Sequence, residues 1–169
     1  NGLWRYDSPS ISGVQFSASY DSTANTSTTN STPVSGYSDM GISISPDMVD
    51  GLSLGYATGE YEEAAGRDLD VSTVWVKYAY GPVTVSYQDS ESDGPTAAHS
   101  DESEEWGISY AVSDSLSVSY GQHEMNLGTD AATDLQEAEG FSISYTMAGT
   151  TIAASFNDIE NIAGSTSED

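Results

Sequence analysis

Residues 106–120 read WGISYAVSDSLSVSY. Trp106, Ile108, Tyr110 and Val112 alternate with Gly107, Ser109 and Ala111. After Ser113-Asp114-Ser115, Leu116, Val118 and Tyr120 alternate with Ser117 and Ser119. A period of two is the strand period, because successive side chains of an extended chain point to opposite faces. The segment therefore reads as two strands joined by a short turn. One face is large and apolar or aromatic; the other is small and mostly hydroxylated. What each face meets decides the fold.

The same texture recurs outward from this hairpin. Val14–Tyr20, Met40–Ile44, Leu52–Tyr56, Val74–Tyr80, Val83–Tyr87, Phe141–Met147 and Ile152–Phe156 all alternate large with small or polar residues. With the opening pair this makes nine strands, and Gly2–Tyr6 reads as the end of a tenth. No helical period of useful length is present; residues 130–140, DAATDLQEAEG, read as one or two turns of helix inside a loop. Connections alternate between short (46–51, 81–82, 113–115, 148–149) and long (21–36, 60–70, 88–105, 122–139). The short ones carry Gly, Pro or Asp-Ser turn chemistry. Short-long alternation predicts an up-and-down meander with its tight turns at one end and its long loops at the other.

The chain has 169 residues, 27 acidic and 3 basic, for a formal charge of -24. Residues 1–169 read as one domain. A nucleic-acid partner needs a basic surface and is excluded. Cysteine is absent, which excludes disulfides and thiolate chemistry. No apolar run approaches the ~18 residues of a membrane-crossing helix. The first residues, NGLWRYDSPS, have neither the basic start nor the apolar stretch of a signal peptide. Most of the acid falls in residues 60–70, 88–105 and 122–139, three of the segments read as long loops, and in the final stretch 157–169.

A soluble sandwich also alternates, but it covers its large face with a second sheet and shows long charged side chains outside. Here the alternate face is Ser, Gly, Ala and Thr. Aromatic residues also gather at strand ends: Tyr20, Tyr56, Tyr87, Tyr120 and Phe156 toward the long loops, and Tyr78, Tyr80, Tyr110 and Tyr145 toward the turns. Aromatic bands on either side of an aliphatic waist are the pattern of a strand crossing a bilayer, where amphipathic rings settle at the interface. The large face then meets lipid and the small face lines water. Lys77, the one basic residue inside a clear strand, falls on the inward parity, and Asp39, Asp70 and Gln15 are assigned there with it. The fold expected is all-β, a transmembrane antiparallel up-and-down β-barrel.

The stretch Arg5-Tyr6-Asp7-Ser8-Pro9 through Gly13 to the alternating Val14–Tyr20 resembles a segment of Gram-negative general diffusion porins, particularly the alphaproteobacterial type. Residues 50–57, 140–145 and 154–161 fit the same style. The resemblance implies a sixteen-stranded homotrimeric barrel in the outer membrane of a Gram-negative bacterium, with a constriction loop folded into the pore. Nine or ten strands would leave two open edges, and lipid-exposed edges do not occur in hydrocarbon. The expectation is therefore a C-terminal portion of such a barrel, or an incomplete one. Its function would be passive diffusion of small hydrophilic solutes and ions.

Candidate pore-lining residues are Arg5, Gln15, Asp39 and Lys77; Arg5 lines the lumen or pairs with Asp7 at the turn. Asp89-Ser-Glu91-Ser-Asp93-Gly94 approaches a calcium-loop pattern, but Glu91 and Ser100 depart from it. Asp89, Glu91 and Asp93 are thus a weak metal candidate beside the plainer reading of a solvated acidic loop. No cofactor is expected beyond Ca²⁺ bridging of such loops. Trp75 on the inward parity is either a shelf narrowing the lumen or a sign of slipped register. Arg67 reads as a local counter-charge, and His99 and His123 as loop residues without a metal or catalytic role. Asn25-Thr26-Ser27 and Asn30-Ser31-Thr32 match a glycosylation sequon that carries no weight here. An enzyme is not expected: no G-x-S-x-G elbow occurs, and no His is read within a strand. The expected partner is outer-membrane lipid, with the loops open to phage or other surface contacts. The competing reading is a soluble or surface-attached all-β adhesin.

Overall fold

A computed structural model describes residues 2–22, 34–63, 68–96, 100–128 and 135–162. Arg67, His99 and both sequons lie outside the described residues. The strands are β1 (Leu3–Asp7), β2 (Val14–Asp21), β3 (Val34–Ile44), β4 (Leu52–Glu63), β5 (Leu69–Tyr80), β6 (Val83–Asp93), β7 (Asp101–Ser113), β8 (Leu116–Leu127), β9 (Gln136–Met147) and β10 (Thr150–Glu160). They form one sheet in sequence order, β1 to β10, and every neighbouring pair is antiparallel. This is the meander that the connections predict.

The tight turns have a backbone cause. Ala148 and Gly149 sit at φ 50° and 79°, and Ser12 and Gly13 at 51° and 80°. Two successive positive-φ residues match the right-handed twist of the flanking strands. At Gly13 a side chain is excluded twice over, since a Cβ there would lie 2.0 Å from the Ser45 carbonyl oxygen.

The strands are longer than the apolar runs. β3 to β10 span 11 to 13 residues each. About 9–11 tilted residues cross a bilayer, and the excess lies in the acidic segments. Much of 60–70, 88–105 and 122–139, read above as loop, is therefore strand. β4 runs on to Glu63, β6 to Asp93 and β8 to Leu127, while β7 begins at Asp101 and β9 at Gln136. Residues 136–140, assigned above to a helical turn, are extended ladder in β9; 129–134 lie outside the described residues. The backbone ladder does not depend on what the side chains face, so it continues where the apolar pattern stops.

The registers fix the faces. Val14, Ile44, Leu54, Val76, Tyr87 and Trp106 form one row of direct cross-strand partners from β2 to β7. Direct partners share a face, so the large residues make one continuous surface. None of the described residues covers it. Among the described residues no hydrophobic side chain is buried, and Ile152, Phe156 and Met40 are 70%, 69% and 64% exposed. The chain exposes 11433 Å², where a soluble domain of this length exposes about 8,000 Å². A soluble sandwich would bury this face, so an apolar solvent must take that place.

One parity assignment is corrected. Asp70 pairs with Glu60 and Asp93 and shares the face of Val74 and Val76, so it points outward. Trp75 is resolved by the same ladders. It pairs in unbroken register with Gly55 and Gln88 on the small face. Its indole occupies the space above Gly55, where a Cβ would lie 2.6–2.8 Å from Nε1, Cε2 and Cζ2. There is no slip; glycine makes room for the ring.

Candidate functional site

Each expected lining residue lies on the small face. Arg5, Ser19 and Asp39 are successive register partners across β1, β2 and β3. Gln15 and Ser43 pair two inward rows nearer the turns, and Lys77 pairs with Ser53 and Ser86. Arg5 combines its place on this face with the Asp7 pair. It faces inward, and it grips Asp7 through Nε and Nη2, both at 2.9 Å. The two side chains are 65% and 45% exposed, so solvent screens the pair and it adds little to stability. Asp39 accepts the Ser19 hydroxyl. Gln15 is tied to the first turn through Nε2 to the Ser8 carbonyl at 3.0 Å. Lys77 has no ion-pair partner among the described residues.

The extended strands add inward residues that the loop reading hid. Gln88, Glu105 and His123 continue the row of Trp75 as successive partners across β6 to β8, and Asp101 lies further along β7. The available signal was the continued period: in Gln88-Asp89-Ser90-Glu91-Ser92-Asp93 acid simply replaces the apolar residue at every second place. Two hollows indent this face. One of about 660 Å³ lies among Trp75, Lys77, Gln88, Glu105, His123 and Asn157. The other, of about 570 Å³, lies among Arg5, Asp39, Thr73, Ser90, Asp101 and Ser103. Inside it Thr73 and Ser90 share a 2.8 Å hydroxyl contact, and Gln88 Nε2 donates to Ser90 at 3.2 Å. Among the described residues, inward carboxylates (Asp7, Asp21, Asp39, Asp101, Glu105) outnumber inward cations (Arg5, Lys77).

On the outer face the aromatic boundary is explicit. Tyr87 pairs with Trp106, and Tyr120 with Phe141, which pairs with Phe156. The Trp106 and Tyr120 rings lie 5.5 Å apart. Their polar ends turn away from the waist: Trp106 Nε1 donates to Gln122 at 3.3 Å, and the Tyr120 hydroxyl donates to Glu139 at 2.5 Å. That is how an amphipathic ring sits at a water–hydrocarbon boundary. Toward the turns, Tyr78 and Tyr80 stack at 6.4 Å.

Beyond the boundary the outer face becomes acidic. Asp89, Glu104, Glu124, Glu137 and Glu160 are successive direct partners across β6 to β10. The acid forms a belt on strand extensions. Asp89, Glu91 and Asp93 belong to it as alternate residues of β6, ~7 Å apart along the strand. That is an extended ladder where the calcium pattern needs a tight loop, and no group of three or more ligating side chains among the described residues could hold a metal ion. Like-charge crowding is felt here: Glu91 is pushed above the ordinary carboxylate range, first by Asp93, then by desolvation, then by Glu102.

An antiparallel meander with a bare apolar outer band, aromatic borders and a polar, indented inner face is the wall of a transmembrane β-barrel. The chain matches the family model described as Gram-negative porin over residues 1–167, and it belongs to that family. It is an outer-membrane channel protein, and nothing favours the adhesin reading. The family is a class of channels, not of enzymes. No curated protein matches the chain.

Proposed function

We propose that the pore passes small hydrophilic solutes and ions passively and favours cations, with Arg5, Gln15, Asp39 and Lys77 among its lining. No cofactor enters this reading, and no bond is made or broken. The observation that carries it is the inward face itself: small hydroxylated residues keep a lumen open to water, and its carboxylates outnumber its cations. Size exclusion then comes from lumen width and ion preference from lining charge. The acidic belt adds an attractive field at the mouth that salt screens, and Ca²⁺ at the belt would relieve the crowding there. Porins sit in the outer membrane and often form trimers, so we extend the reading to a homotrimer held in outer-membrane lipid. The acidic strand ends are then the surface open to phage or other contacts.

The test is a planar bilayer holding the full-length protein under a KCl gradient. Stepwise conductance with a reversal potential toward the potassium potential is expected. A reversal potential toward chloride would overturn the charge argument, and no stepwise conductance would overturn the channel.

A further inference from the structure

The 660 Å³ hollow has a construction that open diffusion does not require. Gly107, Gly121 and Gly140 are direct register partners on β7, β8 and β9. Three adjacent strands thus present bare backbone to the lumen over about 10 Å. On the loop side the hollow is bordered by the row of Trp75, Gln88, Glu105 and His123. On the turn side runs a second row, in which Thr84, Ser109, Ser119, Ser142 and Ser155 are successive partners across β6 to β10. The two rows are four residues apart along each strand, about 13 Å. Lys77 closes one end. Asn157 closes the other, its Oδ1 standing 2.6 Å from where a Gly140 Cβ would be.

We propose that this hollow is a subsite for neutral polyhydroxylated solutes, saccharides above all, on the permeation path. The proposal rests on the channel reading and names a substrate class for it. The flat glycine floor lets a sugar ring approach the wall closely. Gln88, Glu105, His123 and Asn157 place donors and acceptors along its edges, and the hydroxyl row lies beyond the glycine floor on the turn side. Trp75 supplies the aromatic surface that a sugar's C–H face packs against. Lys77 and Glu105 offset each other, so the site has no strong preference for an ion. The volume lies within the range of small-molecule sites, where a few placed polar groups set orientation.

The test uses the full-length protein in planar bilayers, with maltotriose as the probe and a polyethylene glycol of equal hydrodynamic size as the control. Maltotriose should lower the ion current along a saturating curve, while the polymer lowers it in proportion to concentration. Trp75→Ala should raise the half-saturating maltotriose concentration at least tenfold. Gly107→Leu should do the same by filling the floor. At Gly107 a Cβ is tolerated, its nearest neighbours being the Ser86 hydroxyl oxygen at 3.4 Å and the Tyr120 carbonyl at 3.7 Å. Stepwise conductance in each variant shows that it has folded and inserted. A wild-type channel whose maltotriose curve matches the polymer's overturns the subsite and leaves the pore standing. Saturation unchanged in both conducting variants overturns the assignment to this hollow. A wild-type protein that never conducts overturns the channel reading beneath it.

Discussion

Replacing Ile108 by Arg puts one charge at the middle of the outer face. Ile108 is flanked across the ladders by Val85 and Tyr120, and along β7 by Trp106 and Tyr110. It is 42% exposed, and no side chain among the described residues buries it. A mid-depth Arg on the lipid face of a barrel costs ~2–4 kcal/mol. Here the nearest polar belt position on the same strand face, Glu104, is four residues away, ~13 Å along the strand. The Arg stem spans part of that distance, which favours the lower half of the range. The expected loss is about 2 kcal/mol, or about thirtyfold in the folding equilibrium. Ser109→Arg, one residue along, puts the same charge on the lumen face and should cost no more than about 0.5 kcal/mol. The assay is reversible guanidinium unfolding in phosphatidylcholine vesicles, followed by tryptophan fluorescence. Equal losses in the two variants, or a larger loss in Ser109→Arg, would refute the assignment of faces on which the channel reading depends.

Lys77→Gln should shift the reversal potential further toward cations. One charge acting at ~6 Å across water contributes ~0.7 kcal/mol, about threefold in local ion occupancy. That preference should shrink between 0.1 and 1 M salt, as the screening length falls from about 10 Å to about 3 Å. The belt should respond to pH with a defined sign. Glu91 is raised, so the folded state holds its proton more tightly than the unfolded state. The contribution is favourable below the ordinary carboxylate pKa and is lost as pH rises through the shifted value. Hydrogen-exchange protection at the loop-side ends of β6 and β7 should therefore be higher at mildly acidic pH than at neutral pH, and Glu91→Gln should flatten the difference. Millimolar Ca²⁺ should raise the thermal midpoint relative to EDTA by relieving the same crowding, and an unchanged midpoint would remove Ca²⁺ from the account.

Strand parity and the membrane were legible in the sequence because the solvent of each face selects its side chains. Hydrocarbon demands Ile108, Val85 and Ile143, water in a lumen permits Ser109, Ser86 and Ser142, and the boundary draws Trp106 and Tyr120. The candidate site was half legible. Arg5, Gln15, Asp39 and Lys77 fall within or beside apolar alternation and lie on the small face that parity gave them, while Asp70 lies an even number of residues from Val74 and Val76 and so shares their outer face. Glu105 and His123 were assigned to loops because the apolar pattern stops at Trp106 and Tyr120. The extended backbone goes on, since ladder hydrogen bonds are indifferent to whether the outer side chain is Tyr87 or Asp89.

By itself, then, the sequence determined which residues share a face, for alternation is a property of the single strand. The tertiary structure alone decided which residues meet across strands. Gly107, Gly121 and Gly140 become one floor, and Asp89, Glu104, Glu124, Glu137 and Glu160 one belt. Such rows depend on inter-strand register, which turn geometry and ladder pairing set and which no local pattern within a strand records.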